Sequence, residues 1–350
     1  MSTDNSTNKV KILDLGIPMM RAWPEDCFLS SLIQKQDTAY DWMMNSFIQI
    51  CSYKQQDKDM RINFLPSGKH HYEVNLFDLC PYISKYSIEN EIITANYGKF
   101  TNYAIEAISK GYYVSTSLEQ FYDVNRSMPH LGHPVYIFGY DLEKGILHTA
   151  DSYYDGKYGY MEVALENIDE RFYRLNYYSD KWYNHRTYTY KLKKMQHNFD
   201  VRLLYNLLSD YLNSYYSTSY KAYEYDNMTY GIECYSAFIN YVDNTKKNKV
   251  DYWDLKSFVF LQDYKIMMEK RIEYLIKNNY ILQSEASLKD KIGEDISQCK
   301  IMLSLAIKYE IKHDINYLDI IVERMNKLYQ DEFVFTERLM AALKKANEEL

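Results

Sequence analysis

The sequence predicts an α+β chain: a mixed N-terminal domain over residues 1–190, built on an antiparallel sheet, followed by an all-helical domain over residues 195–350. Three observations predict it. From Gly111 the pattern turns to period two with β-rich composition and stays so through Val163. After about residue 195 apolar positions recur at spacings of three and four to the end of the chain. Finally, 350 residues exceed what one compact core needs, while 11 Gly and 6 Pro favour long helices over many tight turns.

Taken in order, residues 11–18 are short and mixed. Pro24 then opens a helical pattern through Gln34, whose apolar stripe is Phe28, Leu29, Leu32 and Ile33. A second helix is expected over residues 39–53. Residues 62–83, with His70 and His71, read as strand and loop, and residues 96–109 as a helix stopped by Lys110-Gly111. Residues 112–116 form a strand, followed by a polar loop containing residues 125–129. Residues 134–140 (PVYIFGY) are a buried strand, 141–145 (DLEKG) a turn and 146–151 (ILHTAD) the returning strand of a hairpin; residues 153–160 are a second turn. Helical periodicity then covers 201–212, 230–241, 258–276, 297–311 and 315–343. No fixed-period repeat and no Gly/Ser linker is visible.

A formal net charge of −7 without a Lys/Arg block argues against a nucleic-acid groove and suits a basic partner. The polar first ten residues and the lack of a long apolar stretch predict a cytoplasmic protein with no membrane contact. Five scattered cysteines, at 27, 51, 80, 234 and 299, form no CxxC or Cys/His cluster, so neither a disulfide framework nor a metal site is expected. No Gly-rich phosphate loop is present, and no cofactor is expected.

One constellation carries chemistry. Cys27 lines up with Ser30, Ser31 and Gln34, off the apolar stripe and near the helix start, where unpaired backbone N–H groups, its own included, and the helix dipole favour negative charge. Glu25 and Asp26 oppose that. His133 precedes the buried strand, placed to act as the base for the Cys27 thiol. If Tyr140 faces Ile146 across the turn, Val135 lies opposite Asp151, and His133 and Asp151 share one sheet face as diagonal neighbours about 7–8 Å apart. A one-residue slip puts Asp151 on the other face. His148 then points away, and Cys234, on an apolar helical stripe, reads as core.

The segments EDCFLSSLIQ and HPVYIFGYDLEKGILHTADSYYDGKYGY, with the spacing His-x5-Gly-Tyr-Asp, resemble the butirosin biosynthesis protein H family, whose members are similar to papain-like cysteine folds of the bacteriocin-processing peptidases. The resemblance covers roughly residues 15–165, and LQDYKIMMEKRIEYL is similar to the helical part that follows in that family. It implies a papain-like N-terminal domain with Cys27 as nucleophile, His133 as base and Asp151 as its orienter. It also implies transfer of an aminoacyl group from an acyl carrier protein thioester to the amine of an aminoglycoside. One departure stands out: papain-like enzymes carry a Gln several residues before the Cys, and this chain has Met20, Arg21, Ala22 and Trp23 there.

The expected function is therefore a cysteine-dependent acyltransferase of secondary-metabolite (antibiotic) biosynthesis, with a carrier-protein thioester and a small-molecule or peptide amine as partners. The alternatives are a peptidase or amidase of the same fold, with water as acceptor, and a non-catalytic binding or scaffold protein of an assembly line.

Overall fold

The computed structural model describes residues 8–53, 60–65, 75–119, 132–152, 157–178, 185–216, 228–247 and 253–347. In chain order the elements are β1 (Val10–Ile12), α1 (Pro24–Ile33), α2 (Ala39–Asn45), β2 (Ile50–Tyr53), β3 (Asn63–Phe64), α3 (Leu76–Leu79), β4 (Ile83–Glu89), α4 (Asn90–Tyr97), α5 (Phe100–Ser109), β5 (Tyr113–Glu119), β6 (Gly132–Asp141), β7 (Ile146–Ser152), β8 (Tyr158–Ala164), α6 (Leu165–Tyr178), β9 (Arg186–Leu192), α7 (Val201–Leu212), β10 (Met228–Tyr230), α8 (Cys234–Lys246), α9 (Leu255–Lys277), α10 (Ser287–Lys312) and α11 (Asn316–Ala346). Short 3-10 turns lie at Gly231–Glu233 and Gln283–Ala286. His70, His71, His130, the loop 125–129 and most of the first half of the expected turn 153–160 lie outside the described residues.

The chain is mixed α+β and divides into two units, Met1–Asp37 with Phe77–Met195, and Thr38–Leu76 with Gln196–Leu350. Residues 38–76, which the linear reading leaves in the N-terminal domain, thus go with the C-terminal part. Long-range bonds explain this: Asn45 Nδ2 donates to Asp200 O at 2.7 Å, Gln49 Nε2 to Leu207 O at 2.9 Å, and Arg271 Nε to Met44 O at 2.9 Å. Arg271 is wholly buried, and its guanidinium takes up carbonyls that the end of α2 leaves without helical partners.

The expected helix over 39–53 is corrected here. It stops at Asn45, Phe47 turns the chain at φ 54, and Ile50–Tyr53 becomes β2, which pairs with β3 and with β10. Because β10 lies beyond residue 195, the C-terminal part is predominantly helical rather than all-helical. Around this small sheet the second unit packs α7 to α11. At its centre the wholly buried Lys265 Nζ meets Asp295 Oδ2 at 3.2 Å and Glu332 Oε2, while Tyr211 Oη donates to Glu332 Oε1 at 2.8 Å.

The first unit is an antiparallel sheet of seven strands, in the order β4-β9-β5-β6-β7-β8 with β1 added on β6. One face carries an apolar core, in which Ile93, Phe100, Ala104 and Ile108 of α4 and α5 and Ile168 and Phe172 of α6 meet Val114, Leu118, Val135, Ile137 and Leu147 of the strands. On the other face lies α1. Phe28 stacks on Tyr136 with ring centroids 4.2 Å apart and meets Tyr113 and Tyr190 edge-on.

The β6–β7 hairpin departs from the expected register and then returns to it. Asp141, not Tyr140, faces Ile146, and its Oδ1 accepts the N–H groups of Glu143 and Lys144, which caps a four-residue turn. An irregularity between Ile137 and Gly139 then removes the offset, so that Tyr136 faces Ala150. Gly139 is required at this bulge because a Cβ there would come within 3.0 Å of Lys11 O and 3.1 Å of Ile12 Cα as β1 crosses it. The paired ladder ends at Tyr136 with Ala150; carried one residue further, the same register sets Asp151 against Val135, with His133 on the same face two residues before it.

Candidate functional site

Residues at the ends of two strands and on one helix build the site. His133 is the second residue of β6 and Asp151 the penultimate residue of β7. His133 Nδ1 lies 3.0 Å from Asp151 Oδ2, with the imidazole side chain 23% exposed and the carboxylate 3% exposed. The other carboxylate oxygen accepts the N–H of Ser152 at 2.6 Å. An ionised carboxylate only accepts, so with Asp151 ionised Nδ1 is the donor in this pair, and Nε2 is the ring nitrogen that Asp151 does not engage. That is the arrangement a general base needs.

Cys27 is the fourth residue of α1, and here two local expectations are corrected. Its backbone N–H is committed to Trp23 O at 3.0 Å, so it is not among the unpaired donors of the helix start. Nor does Cys27 lie on an exposed side: residues Cys27 to Ile33 are all buried, since the sheet covers one side of α1 and the segment 13–20 runs along another. In that segment Gly16 N donates to Ser31 O at 2.8 Å, Met19 N to Ser30 Oγ at 3.2 Å, and the Cys27 thiol itself to Met20 O at 3.0 Å.

Two tyrosines tie these parts together, and neither stands out in sequence among 39 tyrosines. Tyr136 is buried and pushed well above the ordinary phenol range, first by burial and then by charges that include Glu25 of α1 and Asp151 of β7. Its hydroxyl therefore lies within electrostatic reach of both elements. Tyr160, half exposed on β8, is raised by burial and then by negative charge at Cys27, and it donates to Gly16 O at 3.1 Å. Ser152 Oγ is buried without a hydrogen-bond partner. Helix α1 packs on β7. By strand alternation His133 and Asp151 share the face of Val135 and Ile137, whereas α1 lies on the face of Tyr136; the His-Asp pair and the cysteine helix thus approach the end of β6 from opposite sides.

His148 lies on the other face from Asp151, packed against Phe138. Burial pushes the Cys80 and Cys299 thiols up to about 12, and Cys234 well above its ordinary value, which makes all three inert. Among the described residues no group of three His, Cys, Asp or Glu side chains could hold a metal ion, and no helix is long and apolar enough to cross a membrane. A cavity of about 700 Å³ lined by Glu89, Glu91, Phe172, Tyr173 and His185 belongs to the β4 edge, three strands from β6.

No family model matches the chain, and no curated protein matches it.

Proposed function

We propose that the chain is a papain-like cysteine acyltransferase of secondary-metabolite biosynthesis. The observation that carries this reading is the 3.0 Å contact of His133 Nδ1 with the buried Asp151 carboxylate, which leaves Nε2 as a base. In the reaction the Cys27 thiol leaves Met20 O, and because the structure sets His133 on the opposite face of the sheet, one of the two must move round the end of β6 before the thiol proton can pass to Nε2. The sulfur attacks the carbonyl carbon of a carrier-bound thioester, the carrier's C–S bond breaks, and its thiolate takes the proton back from His133. An amine then attacks acyl-Cys27 and releases the Cys27 sulfur, which recovers a proton through His133. Oxyanion donors other than the Cys27 N–H are required, and the N–H groups of Glu25 and Asp26, in the first turn of α1, are those nearest in the chain.

The test is acylation. Wild type incubated with an acyl N-acetylcysteamine thioester is expected to gain one acyl mass, mapped to Cys27 and discharged by an added amine. Discharge in water alone at the same rate makes the protein a hydrolase; no acyl mass on Cys27 sinks the reading. A non-catalytic scaffold is the second reading, favoured by one observation: Cys27 is 0% exposed and its thiol is bonded to Met20 O.

A further inference from the structure

Helix α10 presents a face that the described residues leave uncovered. Its inward side is buried through Leu288, Ile292, Asp295, Cys299, Met302 and Ala306. Opposite these, at 3.6 residues per turn, Ile301, Ile307, Ile311, Lys300, Lys308 and Lys312 fall on an arc of roughly 140°. The three isoleucines are 39%, 41% and 72% exposed. Ser297 and Ser304, on the same arc, fold their hydroxyls back onto the carbonyls of Gly293 and Lys300 and leave the surface low between the larger side chains.

The charge on this face is at odds with the chain as a whole. The protein carries a net −7, yet the C-terminal stretch of this arc, from Ser297 to Lys312, holds three lysines and no carboxylate, since Glu310 falls outside it and Asp290 and Glu294, on the same arc, lie nearer the start of the helix. Among the described residues none of the three lysines has an ion-pair partner. Elsewhere on the same helix Lys289 and Lys291 are paired with Glu273 and with Asp295 and Asp331. An arc on which isoleucines alternate with ammonium groups is complementary to a helix whose apolar side chains are interspersed with carboxylates.

We infer that the outward face of α10 is the docking surface for an acidic amphipathic helix, presented by the carrier protein that the acyl-transfer reading requires. This inference depends on that reading for the partner's identity, and on the Ile/Lys arc for its chemistry. Isoleucines supply the contact area, and lysines steer and register the partner.

The experiment uses the full chain and two synthetic helical peptides with the same leucine stripe, one flanked by glutamates and one by lysines, in fluorescence anisotropy. The expected result is binding of the glutamate-flanked peptide only, weakened on the order of tenfold when salt shortens the Debye length from ~10 to ~3 Å. It should weaken by a similar factor or more in the combined variant K300E, K308E, K312E and, separately, in I311D. Equal binding of both peptides, or binding unchanged in both variants, overturns the inference. So does either alternative occupant: anionic phosphatidylglycerol vesicles that bind wild type while the peptide does not, or a sedimentation shift showing self-association through this face. Acylation of Cys27 by the N-acetylcysteamine thioester needs no carrier and should be unchanged in the lysine variant. Its absence in wild type fails the acyl-transfer reading and leaves the peptide result to judge the surface alone.

Discussion

Replacing Asp151 by Asn alters little in volume and much in hydrogen-bond logic. The carboxylate serves at least two donors, the Ser152 N–H at 2.6 Å and His133 Nδ1 at 3.0 Å. An amide can accept from one of them and must point its NH₂ group at the other. The Ser152 N–H is fixed in the backbone, so the amide oxygen stays with it and the NH₂ group faces Nδ1. His133 then shifts to the tautomer with the proton on Nε2, where it cannot act as a base. One hydrogen bond's difference of about 1–3 kcal/mol sets that tautomer population, a factor of roughly 5–150. Loss of the charge that stabilises the imidazolium adds to it, for a total of about 10³–10⁴-fold, near the cost of the same change in a serine-protease triad. Single-turnover acylation of Cys27 by an N-acetylcysteamine thioester, followed by intact mass, is the assay, with a circular-dichroism melt to show that the fold survives. An Asp151→Asn rate within about threefold of wild type would refute the base assignment.

Three further outcomes follow from packing and charge. Gly139→Ala brings a Cβ to within 3.0 Å of Lys11 O where β1 crosses the bulge, so thermal denaturation should show a loss of about 1–3 kcal/mol. Lys265→Met leaves Glu332 and Asp295 without their buried cation and is expected to cost about 3–5 kcal/mol by urea titration; unchanged stability would mean that the carboxylates find other partners. Cys80 and Cys299 hold their protons up to about pH 12 in the folded state, against an ordinary value of 9.0. Their raised pKa values make a stabilising contribution that is fully present below pH 9 and is lost as pH climbs toward 12, so the urea midpoint should fall between pH 8.5 and 10.5 in ~0.5-unit steps, and less steeply in Cys80→Ala.

Much of the second unit was legible because its helices bury one stripe each: Val201–Leu212 has the expected bounds, and Leu255–Lys277 differs by a few residues at its start. The extent of α2 was not, since its end depends on Arg271, more than two hundred residues away, and on a positive φ at Phe47 that an aromatic residue does not advertise. β9 went unassigned although RTYTYKL alternates, and it turned out to lie inside the sheet between β4 and β5. The His133–Asp151 pairing was readable from hairpin register, but by a compensation invisible in sequence: the turn is one residue tighter than expected, and the bulge at Gly139 restores the count. Burial of Cys27 could not be read. It comes from the segment 13–20, whose bonds to α1 are made largely by backbone groups and so leave no periodic trace.

That segment separates the catalytic reading from the scaffold reading. In the structure the Cys27 thiol is bonded to Met20 O and its backbone N–H to Trp23 O. Among the described residues the bonds that hold the cover include Leu13 N to Phe138 O, Tyr113 Oη to Asp14 O, the Lys35–Asp14 ion pair, Tyr160 Oη to Gly16 O, Gly16 N to Ser31 O, Met19 N to Ser30 Oγ and the Cys27 thiol to Met20 O. A buried structural cysteine needs no such cover and no basic imidazole three residues from the tyrosine that stacks on its neighbour. The buried, hydrogen-bonded Asp151 costs desolvation at a strand end where a turn-forming Asp would sit in water, an expense that the base role proposed for His133 would account for.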